Sequence, residues 1–327
     1  MTSMTSHGLA SLCLLSMVCL GTPEQVTAQQ FTNASFEAWG DPASCGINTP
    51  PDSWIGFNGS GAPGVDEGNF AVCFHTIPAG AHGGTTYVRS YATVGGGEGI
   101  AQTVSGFAPG RTYQIRFYYS GSNKYGGVAD GAWRTYIDGV NIDETPYYSS
   151  LQTTWSERTM TFTATNTSHE IGFRGWRTQS GTGSASLGMD DVSILPVATT
   201  STYGASCSVG SPLVLGSNSP AIGSTWTLQG SGIEPVSSLA VFWFGSAALT
   251  PAFDLASAGA AGCFVHTNAN LGAFVSPASA GTSSYSVSVP NAAALTGTEL
   301  FVQMSAASTA TTIGFTTSNG LASVLGA

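Results

Sequence analysis

Apolar and polar residues alternate along several short segments of this chain, with the period of two that is typical of β-strands. The clearest segment is residues 113–119, in which every second residue is aromatic or branched and shares one face: Tyr113, Ile115, Phe117 and Tyr119. Turn-forming residues such as Ala108-Pro109-Gly110 and Asp138-Gly139 separate this segment from its neighbours. Because no amphipathic helix stands out, the pattern predicts an antiparallel β-sandwich or jelly roll.

The last third of the chain has its own strand patterns. Residues 239–244 are apolar at every position and therefore on both faces, which predicts a central strand. Further strand-like segments lie around Trp226 and Leu300, with joins rich in Ser, Ala and Gly. We therefore predict an all-β protein with a jelly-roll domain at residues 29–196, a Thr/Ser-rich linker at 197–202 and a smaller β-sandwich at 203–327.

Charged residues are rare and unevenly distributed. The 327 residues include 8 Lys+Arg and 18 Asp+Glu, for a formal charge of −10. Residues 196–327 contain no Lys or Arg, which supports a domain boundary near residue 196. A nucleic-acid partner would require a basic stripe, so this composition argues against one. It suits uncharged polymers and cations.

The N-terminal residues have the pattern of a secretory signal peptide. Leu9–Leu20 is an apolar run that is too short to span a membrane, and Val26-Thr27-Ala28 offers the small residues of a cleavage site. We predict removal of residues 1–28 and an extracellular or cell-surface location. No later segment reaches the length of a transmembrane helix.

Four cysteines follow the predicted signal peptide, two on each side of the charge boundary. An even number in a secreted protein favours disulfides, and the simplest pairing is Cys45–Cys73 and Cys207–Cys263. The alternative is four buried thiols. Zinc is disfavoured because the chain has no Cys-x-x-Cys spacing.

Two carboxylates near the ends of the first domain are candidate metal ligands. Alternation places Asp190 on the same inward face as Val192 and Ile194, and Glu37 follows Phe36 at the start of a predicted strand. A buried carboxylate needs a partner, and hard oxygen ligands suit calcium. We predict a structural Ca²⁺ between Glu37 and Asp190. In the alternative, Asp190 accepts backbone hydrogen bonds or caps a turn, and Glu37 is solvated.

An ordered series of motifs along the first domain resembles the galactose-binding-like jelly roll of bacterial carbohydrate-binding modules (CenC-like), found beside cellulases and xylanases. The series is also similar to a plant cell-wall family of unknown function built on that fold. The motifs are Asn33–Glu37, Pro51–Trp54, Gly99–Val104, Gly110–Phe117, Tyr136–Gly139, Trp155–Thr159 and Met189–Val192. The resemblance implies noncatalytic binding of a polysaccharide or cell-surface glycan, and structural calcium at Glu37 and Asp190.

Sugar binding requires flat aromatic surfaces with planar hydrogen-bonding groups beside them. Alternation places an arginine and an aromatic residue together on one face of each of three predicted strands, and we predict that these six residues contact a glycan: Arg116, Tyr118, Arg134, Tyr136, Arg174 and Trp176. The alternative for Tyr136 is a place in the core.

The end of the chain has a separate resemblance. Tyr203–Cys207, Leu213–Gly216, Val289–Asn291 and Ser318–Ala322 resemble a C-terminal module that recurs on bacterial secreted proteins. This resemblance implies surface retention or sorting rather than catalysis.

Motifs of catalysis are scarce. The chain has no Gly-x-Ser-x-Gly, His-Glu-x-x-His or phosphate-binding loop, and His75 and His82 form a pair without a third metal ligand. We therefore predict no enzyme activity. Two other functions stay open: a structural or adhesive envelope protein with envelope-protein partners, and a glycan-active hydrolase with two carboxyl groups facing across a cleft.

Overall fold

The computed structural model describes residues 29–38, 50–57, 69–70, 80–92, 95–122, 130–148, 153–177 and 185–327. The described residues form two compact units, 29–195 and 196–327. The predicted signal peptide and the predicted Cys45–Cys73 pair lie outside the described residues. Nearly all regular structure is β-strand, and this confirms the predicted all-β fold. Among the described residues, no helix has the length and apolarity needed to cross a membrane.

The first unit is a sandwich of two antiparallel sheets. Sheet I has the strand order β1-β4-β9-β6-β7, and sheet II has the order β2-β3-β10-β5-β8. The strands are β1 (Ile55–Gly56), β2 (Asn69–Phe70), β3 (Val88–Ala92), β4 (Gly99–Ser105), β5 (Thr112–Ser122), β6 (Ala132–Ile137), β7 (Val140–Glu144), β8 (Ser156–Thr163), β9 (Ser168–Trp176) and β10 (Ala185–Pro196). Chain neighbours often lie in different sheets, as a sandwich of this kind requires.

The core of the first unit lies between sheets I and II. The predicted alternation in β5 is confirmed, because its four odd-numbered residues from Tyr113 to Tyr119 are buried. They pack with Trp133 of β6 and Phe173 of β9. Phe36 is fully buried as predicted, although it follows a turn closed by a hydrogen bond from Phe36 N to Asn33 O rather than opening a strand.

The second unit is a sandwich built from one long, bent sheet. Sheet III has the order β11-β20-β19-β14-β17-β18-β13-β12. Its strands are β11 (Thr199–Tyr203), β12 (Val214–Ser217), β13 (Thr225–Ser231), β14 (Leu239–Gly245), β17 (Gly272–Ser279), β18 (Thr282–Ser288), β19 (Glu299–Ala307) and β20 (Phe315–Val324). A separate pair is formed by β15 (Ala248–Asp254) and β16 (Phe264–Thr267), and Ala256–Ala258 and Ala293–Leu295 form short 3₁₀ turns.

Strand β17 carries the sheet round the corner of this sandwich. Its residues 272–277 pair with β14, and its last two residues pair with β18. The two halves of sheet III enclose a core that includes Trp226, Phe242 and Met304. Residues 199–203, which overlap the predicted linker, instead form an edge strand that pairs with β20.

The predicted Cys207–Cys263 disulfide is present, with an S–S distance of 2.04 Å. It lies in a small apolar cluster with Leu255 and Ala260. The bond therefore fastens the segment between β15 and β16 to the segment that follows β11.

Candidate functional site

Four of the six predicted ligand-binding residues lie together on the outer face of sheet I. Arg134 and Tyr136 come from β6, and Arg174 and Trp176 come from the neighbouring strand β9. The antiparallel register places Arg134 opposite Arg174. On β7, Glu144 pairs with Arg134 and therefore shares this face. We call these five residues the arginine–tryptophan face.

An ion pair and an indole ring occupy the accessible part of the arginine–tryptophan face. The guanidinium carbon of Arg134 lies 3.7 Å from the centre of the Trp176 ring, a cation–π distance. Its Nε donates a hydrogen bond to Glu144 Oε2. The Arg134 and Glu144 side chains are 21% and 29% exposed. Burial alone would lower the pKa of Arg134, but the hydrogen bond and charge of Glu144 outweigh this and raise it, so the guanidinium stays charged.

Arg174 lies beneath this surface and is 1% exposed. Its Nε donates to the Gly97 carbonyl at 3.0 Å, and burial lowers its pKa. The Nη2 atom is buried without a hydrogen-bond partner among the described residues. Gly96 has a φ of 128°, and a Cβ at this position would overlap the Arg174 guanidinium, so a larger residue would strain the backbone and displace the arginine. Arg174 therefore supports Trp176 from below rather than reaching solvent.

Tyr136 is also buried, and its ring packs against Phe57 with the centres 5.1 Å apart. This matches the alternative in which Tyr136 has a packing role. Tyr147, which follows β7, lies beside Glu144, and burial together with that carboxylate raises the pKa of Tyr147 to about 12. Its hydroxyl therefore keeps its proton at neutral pH. Of the four predicted residues on this face, Arg134 and Trp176 are the ones a ligand can touch.

The other two predicted residues, Arg116 and Tyr118, lie on the outer face of sheet II. The Tyr118 hydroxyl donates to Glu157 at 2.9 Å, and the His82 ring stacks on Tyr118 with the ring centres 3.6 Å apart. The hydrogen bond to Glu157 is the largest cause of a raised pKa at Tyr118. The six predicted residues thus belong to two faces, because β5 lies in a different sheet from β6 and β9.

The two predicted calcium ligands both bind one loop, residues 82–86. Asp190 is fully buried and accepts hydrogen bonds from the backbone N–H groups of His82 and Gly83 at 2.9 and 3.1 Å. Glu37 accepts from the N–H groups of Thr85 and Thr86 at 2.9 and 3.0 Å. The two carboxylates therefore bind neighbouring residues of one protein segment.

The partners of these carboxylates do not fit a bridging Ca²⁺. All four oxygens accept a hydrogen bond, since Asp190 Oδ1 also receives Asp191 N–H and Glu37 Oε2 receives the Thr85 hydroxyl. Donor groups present their positive ends where a cation would have to lie. Over the part of the chain that the structure describes, no group of three or more His, Cys, Asp and Glu side chains is placed to hold a metal ion. Calcium at this position stays a prediction.

Each carboxylate near this loop has a different environment. Burial raises the pKa of Asp190 to about 6, against the opposing effect of its backbone hydrogen bonds. Burial also raises the pKa of Glu37, but its hydrogen bonds from Thr86 and Thr85 outweigh this and lower it overall. The third, Asp191, lies 2.6 Å from His82 Nδ1. His75, the other histidine of the predicted pair, lies outside the described residues.

Sequence reasoning missed two groups: Glu144 of the arginine–tryptophan face, and Tyr147 beside it. The Asp138-Gly139 turn, which folds β7 back along β6, indicated an acidic residue opposite Arg134, but a regular hairpin would make that residue Asp143 rather than Glu144. Tyr147 lies beyond the end of β7, where alternation no longer fixes the direction of a side chain.

No protein-family model and no curated protein matches this chain. Among solved structures, it is similar to TmCBM61 in complex with β-1,4-galactotriose, at 14% identity and a TM-score of 0.32, covering 52% of this chain and 100% of that one. The CBM22-1 xylan-binding domain of Paenibacillus barcinonensis Xyn10C is 12% identical at a TM-score of 0.32, with coverage of 53% and 94%.

The tandem CBM22-1-CBM22-2 of the same Paenibacillus barcinonensis protein matches 87% of this chain and 91% of its own, at 10% identity and a TM-score of 0.33. These neighbours are carbohydrate-binding modules. Likeness at this level carries no argument about the ligand of this chain, which has to come from its own residues.

Proposed function

We propose that the first unit is a noncatalytic carbohydrate-binding domain that holds an uncharged polysaccharide on the arginine–tryptophan face. The observation that carries this proposal is the contact between Trp176 and the Arg134–Glu144 ion pair. Arg134 covers part of the Trp176 ring, and the part of the indole that stays exposed offers apolar surface for the C–H groups of a sugar ring. The ion pair beside it offers fixed donors and acceptors for hydroxyl groups.

The charge of this face supports a neutral ligand. Arg134 and Glu144 compensate each other, and the chain as a whole has a formal charge of −10, which would repel an anionic polymer. Arg174, buried beneath, is held by the Gly97 carbonyl and keeps the surface rigid. A rigid surface lowers the entropy lost on binding, as expected for a domain whose role is to hold a polymer.

An extracellular location is part of the same proposal. The Cys207–Cys263 disulfide supports it, since disulfides persist in oxidising compartments. The second unit would then retain or sort the protein at the cell surface while the first unit binds the glycan.

Retention of the full chain on neutral polysaccharides tests the proposal. We expect binding to at least one member of a panel of β-galactan, xylan and cellulose, measured by affinity electrophoresis or pull-down. Replacing Trp176 with Ala should weaken this binding on the order of thirtyfold, the loss of about 2 kcal/mol that is common for a central aromatic contact. No retention across the panel would remove the proposal.

Two matched variants locate the site. Trp243→Ala removes a partly exposed tryptophan from the second unit and should leave glycan retention unchanged. Tyr118→Ala alters the outer face of sheet II and should also have little effect. If Tyr118→Ala weakens retention and Trp176→Ala does not, the binding face has been assigned to the wrong sheet.

A further inference from the structure

A groove with a volume of about 640 Å³ crosses the outer face of sheet III in the second unit. Its volume falls within the roughly 300–1,000 Å³ of small-molecule sites. Leu239, Val241 and Trp243 of β14 form one wall, and Val265 and Phe315 contribute to the other side. Leu239 is 51% exposed and Trp243 is 37% exposed, so apolar surface in the groove faces solvent.

The groove has no charge. None of the side chains that line it is ionisable, and the second unit, which the structure describes throughout, contains no Lys or Arg. An anionic ligand would therefore find no counter-ion, and a cationic ligand would find no carboxylate in the lining. Charge complementarity selects an uncharged ligand.

The main polar side chains of the groove are already occupied by internal hydrogen bonds. Gln303 accepts the N–H of His266 and donates to the carbonyls of Phe264 and Ser318, all at 2.8 Å. The single N–H of Trp243 donates to the Ser305 hydroxyl oxygen at 2.8 Å. A sugar needs free donors and acceptors, which these groups no longer offer, whereas a hydrocarbon chain needs none.

The sequence of β14 is that of a strand whose outer face is covered, which here would require a bound ligand. Its inward residues, Ala240, Phe242 and Phe244, fill the core, and its outward residues are apolar too. Such a strand is typical of a sheet covered on both sides. A contiguous exposed apolar patch of this kind usually marks an interaction site.

We propose that this groove binds an uncharged aliphatic chain, such as the acyl chain of a neutral lipid. A peptide fits less well, because β14 is already paired on one side with β17 and on the other with β19 and offers no free backbone edge for an added strand. The walls supplied by β14 and by Phe315 would enclose the chain, with Trp243 at its side.

Titration of the full-length protein with 1-octanol, 1-decanol and 1-dodecanol, followed by calorimetry, tests this proposal. We expect affinity to rise about fourfold with each added methylene, as for transfer of CH₂ out of water, until the groove is full. Sodium laurate, which has the same chain length as dodecanol but an anionic head, should bind more weakly.

Two variants connect the binding to the groove. Leu239→Ser should weaken dodecanol binding on the order of tenfold, because it removes a half-exposed wall residue and leaves the core intact. Val275→Ser is the matched control, since Val275 is 60% exposed on the adjoining strand β17 and does not line the groove. It should leave binding unchanged.

Four results would overturn the proposal. They are an absence of alkanol binding, an affinity that does not depend on chain length, an equal effect of the two variants, and laurate binding as tight as dodecanol. A concentration-dependent dimer in sedimentation velocity that Leu239→Ser dissociates would assign the groove to a second copy of the chain instead. None of these outcomes bears on glycan binding by the first unit.

Discussion

Trp176 in the first unit and Trp243 in the second lie on the outer face of a sheet, yet their neighbours differ. Trp176 lies against Arg134, whose ion pair with Glu144 is partly exposed. Trp243 lies among uncharged residues, and its N–H donates a hydrogen bond to the Ser305 hydroxyl. The tryptophan alone does not define the ligand. The availability of the polar groups beside it distinguishes a surface suited to a sugar from one suited to a hydrocarbon.

The two units also differ in the interactions that stabilise them, with polar and charged contacts in the first and a covalent bond in the second. The first unit uses the ion pair between Arg158 and Asp143 and the backbone hydrogen bonds that buried Asp190 accepts from His82 and Gly83. The second unit has no Lys or Arg to pair with its acids, and a disulfide joins the segment that follows β11 to the segment between β15 and β16. The two units should therefore respond to different perturbations, which three experiments can test.

The largest effect should come from removing the disulfide. Cys207 and Cys263 are 56 residues apart, and closing a loop of that length stabilises by about 4 kcal/mol on the chain-entropy model. The double variant C207A/C263A should lower the free energy of unfolding of the second unit by about that amount. Hydrogen exchange of peptides from β14 and β5 measures the two units separately.

In that experiment the exchange of β5 is the internal control and should not change. If β5 loses protection together with β14, the units unfold as one cooperative block. The disulfide would then stabilise both units, and the proposed difference between the first and second unit would be wrong.

The free energy of unfolding of the first unit should fall as the pH rises. A carboxylate in an ordinary buried ion pair would give the opposite slope. Burial raises the pKa of Asp190 from 3.8 to about 6, so between these values the folded state binds a proton more tightly than the unfolded state. Stability from this group is complete below pH 4 and falls as the pH rises through 6, by about 3 kcal/mol. Urea unfolding between pH 4 and 7, monitored on β5, measures the slope.

Asp190→Asn, which cannot titrate, should remove this slope. Calcium gives the opposite expectation, because a bound ion would require the ionised carboxylate and stability would rise with pH. We expect EDTA to leave the melting temperature unchanged. A fall in melting temperature with EDTA that CaCl₂ restores would establish the predicted calcium site against the hydrogen-bonding pattern of Asp190 and Glu37.

Alternation along single strands predicted much of the fold. It placed Tyr113 and Phe117 in the core and Arg116 and Tyr118 on the opposite face of β5, as observed. It did not predict which sheet each strand joins, because that depends on contacts between residues distant in sequence. The six predicted ligand contacts were therefore grouped as contacts to one glycan, although they lie on two sheets.

Alternation also did not predict local irregularities in strand register. A regular hairpin at Asp138-Gly139 would put Asp143 opposite Arg134, but the register shifts by one residue at Ile142. The shift brings Glu144 beside Arg134 and turns Asp143 toward Arg158. For β14, the apolar pattern correctly predicted a central strand, while the exposed outer face could be seen only once the rest of sheet III was in place.

The smallest effect should come from that displaced residue, Asp143. It accepts two hydrogen bonds from Arg158, at 2.7 Å from Nε and 2.5 Å from Nη2, and the hydrogen bond raises the pKa of Arg158. Asp143 belongs to edge strand β7 of sheet I and Arg158 to edge strand β8 of sheet II, so the pair closes the open side of the sandwich.

Because both side chains are partly exposed, we expect a coupling energy of about 0.5–1 kcal/mol from a double-mutant cycle of Arg158→Met and Asp143→Asn. Unfolding in urea at low salt measures it, and 1 M NaCl should reduce it because salt screens exposed charges. Coupling that is zero at low salt would mean that the pair forms without stabilising the sandwich. A coupling that salt leaves unchanged would mean instead that bidentate hydrogen bonding, and not charge, holds the edges together. The contrast with the second unit, which has no Lys or Arg, would then be one of geometry.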